Sequence, residues 1–226
     1  MDDFTIEDIL KDAIDVVENS SPEELNKLLN KDSTKELYDR IIKFESLRTK
    51  AENSENINKK EILILINLIQ FIRISIFDLV VSSDQYLKTI DGNKLVTQFS
   101  LRVCSLIIYE IIKDFPNMLG KETRDCISHL SKQDVEIMED LNNITTQINH
   151  FISEDIGHRI KNIRNYSIAH KEQDSKKLLH IIDSINDEDV MVLTTSIFLW
   201  NKLFEKFLEK LMSKIKDINI NDIDKL

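Results

Sequence analysis

Arg164 and His170 stand with five residues between them in the run Ile163-Arg164-Asn165-Tyr166-Ser167-Ile168-Ala169-His170-Lys171, and no other pair in this chain has types and spacing suited to acting together on a substrate. An imidazole takes and gives protons near neutrality, and a guanidinium presents a permanent forked cation that matches phosphate oxygens. Together they point to phosphodiester chemistry. The surroundings agree in sign: from His158 to Lys171 the chain carries four fixed positive charges (Arg159, Lys161, Arg164 and Lys171) and no Asp or Glu, although its formal net charge is -10.

Geometry limits how these two residues can meet. On a continuous helix six residues turn through about 600° and rise about 9 Å, which leaves the two side chains about 120° apart. The helix therefore has to bend or end between them, or a second subunit has to complete the site. Gly157 and the run Asn165-Tyr166-Ser167 both permit such irregularity, because glycine adds backbone freedom and Asn or Ser competes for backbone hydrogen bonds.

The elements that must position the pair are helical. The 226 residues hold only three glycines (Gly92, Gly120, Gly157) and two prolines (Pro22, Pro116), too few for the frequent turns of sandwiches and barrels. With 42% hydrophobic residues the chain can fill a core, and an all-α helical bundle is expected. Residues 1–56 read as an N-terminal helical appendage and residues 57–226 as the bundle. Ser21-Pro22-Glu23-Glu24 joins a cap, a first-position proline and a capping-box acid, and Thr5 with Asp8 offers a similar start. A third helix is expected over Ser33 to Lys50, with Leu37, Ile41, Phe44 and Leu47 on one face. Asn58 to Ser82 alternates locally like a strand, yet no second strand is evident to pair with it, so a long helix apolar on most sides is expected.

Further helices are expected over Lys94–Asp114, stopping ahead of Pro116, then over Glu122–Leu130, Gln133–Phe151, Ser153–Tyr166 and Ser175–Ser184. The clearest periodicity lies between Asp187 and Lys216, where Val190, Leu193, Ile197, Trp200, Phe204, Phe207 and Leu211 recur at spacings of 3 and 4. Such a seam packs on a neighbouring helix, within a bundle or across a dimer.

The string IRNYSIAHK, with Arg164 followed by Asn165, four further residues and His170, resembles the signature of the HEPN superfamily over residues 94–216. The resemblance implies a helical bundle that forms a homodimer with the motifs of two subunits facing a shared cleft. For active members it implies cleavage of RNA without metal or other cofactor, often as a toxin held by an antitoxin or as an antiphage abortive-infection effector. On that pattern His170 acts as general base on a ribose 2′-hydroxyl or as acid toward the leaving oxygen, and Arg164 stabilises charge developing on the phosphate. Asn165 orients the substrate or the imidazole, Tyr166 stacks on a base, and Arg159, Lys161 and Lys171 attract the RNA backbone.

Structural roles compete for each of these residues. Arg164 equally suits a pairing with an acid or a helix C-terminus, Asn165 a C-cap, Tyr166 core packing and His170 a turn. A noncatalytic protein-interaction module and a nucleotide-binding regulator are the alternative functions. The net charge disfavours a general nucleic-acid coat. His129, His150 and His180 show no metal-ligand spacing. Glu110, set among isoleucines, can orient His170 or face solvent, and His158 can join the cleft or lie on the surface. Cys104 and Cys126 fit a reducing cytoplasm, and Met1-Asp2-Asp3-Phe4 is acidic where a secretory signal would be basic. Glu61 to Val81 is nearly apolar, but Gln70, Arg73 and Asp78 interrupt it, which favours a buried helix over a membrane span.

Overall fold

The computed structural model describes residues 6–29, 34–53, 58–90, 92–153, 155–163, 176, 180 and 182–215. Among them lie nine helices and no strand: α1 (Ile6–Asn19), α2 (Pro22–Leu29), α3 (Thr34–Glu52), α4 (Lys59–Thr89), α5 (Lys94–Met118), α6 (Lys121–Leu130), α7 (Val135–Ser153), α8 (Asp155–Ile163) and α9 (Asp187–Lys214). Lys176, His180, Ile182 and Asp183 are also helical. The all-α bundle expected from composition is the observed architecture.

Local signals explain most boundaries. At the start of α2 the Ser21 N–H donates to Glu24 Oε2 at 2.8 Å and the Glu24 N–H donates to Ser21 Oγ at 3.3 Å, a reciprocal capping box that satisfies two orphan donors. Asn93 and Asn186 cap α5 and α9 through their side-chain oxygens. Three boundaries differ clearly from the sequence reading. α5 runs through Pro116 to Met118, because a proline in the last turn forfeits one intrahelical bond while the Leu119 N–H still reaches Phe115 O at 3.0 Å. α7 begins at Val135 and not Gln133: Lys132 and Gln133 take left-handed φ of 56° and 61°, and Asp134 accepts from the Ile137 N–H at 3.2 Å. α4 continues well past Ser82 to Thr89, since Tyr86 and Leu87 bury themselves on the same core.

α4 and α5 pack on one another at the centre, flanked by α3, α6, α7 and α9, with α8 against α5, α7 and α9. The seven seam residues of α9 named from periodicity are all buried. Trp200 packs edge-on to Phe115 at 4.6 Å and stacks on Phe204 at 5.7 Å, and its indole N–H donates to Ile144 O at 3.2 Å. From Val190 to Ile197 eight successive residues are buried, so α9 is covered on every side over two turns, by α1 as well as by the bundle helices.

The first three helices share this core. Ile9, Leu25 and Phe44 are continuous with the apolar cluster of α4, α5, α7 and α9. α3 lies antiparallel to α4, as three pairs in reversed order show: Phe44 under the Arg73 guanidinium at 4.2 Å, Glu45 accepting from Gln70 at 3.0 Å, and Tyr38 beside Phe77 at 6.3 Å. Gln70 and Arg73 thereby find partners on α3. α4 and α5 are each long and apolar enough to cross a membrane by length and composition, a test that core helices of water-soluble bundles also pass.

Candidate functional site

α8 is the helix that delivers the Arg–His motif, and its own pattern sets its pose. Ile160 and Ile163 are buried, while His158, Arg159, Lys161 and Asn162 are exposed, so α8 presents an apolar side to α5, α7 and α9 and a polar, basic side to solvent. Of the expected site residues the structure places Arg159 and Lys161 here. Arg164, Asn165, Tyr166, His170 and Lys171 lie outside the described residues.

The two flanks of the motif are held together. Arg159 Nη1 sits 2.7 Å from Asp189 Oδ2, with Asp189 only 14% exposed, which ties α8 to the first turn of α9. That turn is acidic, with Asp187, Glu188 and Asp189 at the positive end of the helix dipole. The Tyr86 hydroxyl donates to Asp187 Oδ2 at 3.0 Å, anchoring the same turn to α4. Burial pushes the Tyr86 phenol far above its ordinary range, and the Asp187 charge adds to the shift, so the hydroxyl remains a donor. Ahead of α9, Gln98 donates to Asp183 at 3.2 Å and Lys94 lies 4.0 Å from the same carboxylate. The described residues on either side of Arg164 and His170 are therefore a packed helix end at Ile163 and, from Asp183 onward, a segment fastened to α4, α5 and α8. Tyr86, Asp187 and Asp189 were not singled out in the sequence; acids in a first helical turn are legible, but a partner 101 positions away is not.

The other residues weighed for chemistry have local roles. Glu110 lies on the partly exposed side of α5, 3.8 Å from Lys113. His158, His150 and His180 are exposed, and His129 Nδ1 is 3.5 Å from Glu61. Among the described residues no group of three or more His, Cys, Asp or Glu could hold a metal ion. An open groove of about 490 Å³ between α4 and α6 is lined by Lys60, Glu61, Ile64, Lys121, Glu122, Asp125 and Cys126. Lys60 and Glu122 neutralise each other there at 2.9 Å, and burial pushes the Cys126 thiol up to about 12, leaving no thiolate for attack at neutral pH.

Comparison with known protein families, characterised proteins and solved structures found no match to this chain.

Proposed function

We propose that this protein is a metal-independent endoribonuclease of the HEPN type, acting in the cytoplasm as a toxin or antiphage effector. One observation carries the reading: the Arg164-Asn165-x4-His170 motif follows α8 directly, in a basic stretch of an otherwise acidic all-α chain. His170 removes the 2′-hydroxyl proton, the 2′-oxygen attacks the adjacent phosphorus as the bond to the 5′-oxygen breaks, and the 5′-oxygen leaves with a proton from His170 of the partner subunit or from water. The products are a 2′,3′-cyclic phosphate and a 5′-hydroxyl. Arg164 stabilises the charge that builds on the phosphate oxygens. Asn165 orients the reacting group and Tyr166 stacks on a base. Lys161, exposed on α8, and Lys171 draw in the RNA backbone, whereas Arg159 contributes less because Asp189 already engages it.

The direct test compares cleavage of mixed RNA by the natural protein, Arg164→Ala and His170→Ala, all with chelator present. Loss of about 100-fold or more in each variant is expected for a transition-state cation and an acid–base group. A 2′-deoxy nucleotide at the scissile position blocks cleavage. Equal activity in all three proteins rejects the mechanism. A role as a protein-interaction module is the second reading, favoured by the exposed apolar side chains of α3 and α4.

A further inference from the structure

The first turns of α5 carry an outward side that is apolar, aromatic and basic together. Leu95 is 75% exposed and Phe99 57%. The Arg102 guanidinium lies over the Phe99 ring, 5.7 Å from its centroid, within range of a cation–π contact. Leu95, Phe99 and Arg102 follow one another at spacings of 4 and 3, so one helix face carries all three. Arg102 differs from the other arginines around it. Arg48 holds Glu52 at 3.1 Å and Arg159 holds Asp189 at 2.7 Å, while Arg124 donates to Leu119 O, Asn142 and Thr145. Arg73 also lies on a ring, but that ring, Phe44, is buried. Arg102 has no carboxylate partner among the described residues, and its Nε is buried without a hydrogen-bond partner. In a chain with 40 acids against 30 Lys and Arg, a guanidinium left unmatched beside an exposed ring suits a ligand that is anionic and flat in adjoining parts.

The register of α5 sets this face beside the flanks of the Arg–His motif. Gln98 shares the face, four residues before Arg102. It donates to Asp183 at 3.2 Å, and Lys94 lies 4.0 Å from the same carboxylate. Phe115 meets Trp200 at the same sequence offset as Gln98 meets Asp183, so α5 and α9 run parallel and Arg102 stands level with Asp187. α8, which ends at Ile163, packs on α5 and reaches Asp189 through Arg159. The described residues on both sides of Arg164 and His170 are thus held along the reach of α5 that carries Phe99 and Arg102.

We propose, resting on the ribonuclease reading, that Phe99 and Arg102 form a platform for single-stranded RNA: Phe99 stacks on a base and Arg102 contacts the adjoining phosphate. Unpaired bases stack on aromatic rings and guanidinium planes, and every such base is followed by a phosphate that a neighbouring cation can meet. Stacking needs no particular base, so the platform contributes affinity and position more than sequence choice.

Fluorescence anisotropy on the full chain with a labelled single-stranded 2′-O-methyl oligonucleotide measures this contact apart from cleavage, because the attacking hydroxyl is blocked. The natural protein binds the oligonucleotide. Phe99→Ala and Phe99→Leu each weaken binding about tenfold, as loss of one stacked base should, and Phe99→Tyr retains it. Arg102→Gln weakens binding and lowers the slope of log affinity against log salt by about 0.7, the value of one phosphate contact on a single strand. Phe99 lies outside the core cluster, so its variants keep the helicity and Tm of the natural protein. Binding that depends on Phe99 in a protein that cleaves no RNA would sink the ribonuclease reading and leave the platform standing. A natural protein that does not bind the oligonucleotide overturns the platform. Binding indifferent to Phe99→Leu overturns it too and marks Phe99 as an apolar contact for a protein, and an unchanged salt slope in Arg102→Gln removes the phosphate contact and with it the proposal.

Discussion

Single side chains divide here into those that fix the fold and those available to a substrate, and the ion pairs show the difference. At the junction of α7 and α9, Lys214 lies 2.8 Å from Asp134, and Lys210 lies 2.7 Å from the buried Asp140 and also contacts Glu136. Hydrogen bonding to Lys214 and then to the Ile137 N–H holds the Asp134 carboxyl below its ordinary 3.8, and the Lys210 bond does the same for Glu136 relative to 4.5. Both folded pKa values are depressed, so their stabilisation is complete above the ordinary values and is lost as pH falls through the folded ones. Urea midpoints are therefore expected to be level around neutrality and to fall as pH drops below about 5, with a shallower fall in an Asp134→Asn, Glu136→Gln protein. Lys161 has no such pairing among the described residues, and on the ribonuclease reading Lys161→Ala should weaken RNA binding evenly across sequences and lower the salt dependence by about one unit of slope, measured by titration at several ionic strengths. The residue types of the motif were legible because Arg and His announce their chemistry; the partner of Arg159 was not, since Asp189 lies 30 positions on and only packing brings it near.

Helices were the most legible level, for a physical reason. Strong 3-and-4 periodicity identifies a buried face whatever it packs against, and all seven α9 seam residues are in the core. Boundaries were less legible where a local backbone device overrode the pattern, as at Pro116, tolerated in the last turn of α5, and at the left-handed Lys132-Gln133 turn before α7. What each helix packs on could not be read at all, because periodicity reports a face and not its neighbour. The aromatic contact of Phe115, Trp200 and Phe204 joins α5 to α9, and Phe204→Ala should cost about 3–5 kcal/mol, measured by urea unfolding. Tyr86→Phe removes one bond to the partly solvated Asp187 and should cost about 1 kcal/mol. If that turn of α9 positions the motif, Tyr86→Phe also lowers kcat for RNA with KM little changed.

For the molecule as a whole, residues 1–56 read from the sequence as an appendage, since a polar run separates them from the next helix. In the structure α1 lies along α9 and α3 along α4, with Ile9, Ala13, Leu25 and Phe44 buried. A chain shortened to residues 57–226 should therefore expose apolar surface, seen as dye binding and a lowered Tm; unchanged Tm would show that the bundle needs no such cover. The completely enclosed Val190–Ile197 turns carry one more consequence. Backbone amides in so buried a stretch are expected to exchange through cooperative opening, so deuterium uptake there should report the global unfolding free energy. The segment bearing Arg164 and His170 thus precedes by 20 positions, His170 to Val190, a stretch expected to exchange slowly, against which ligand-induced protection can be read as an internal reference.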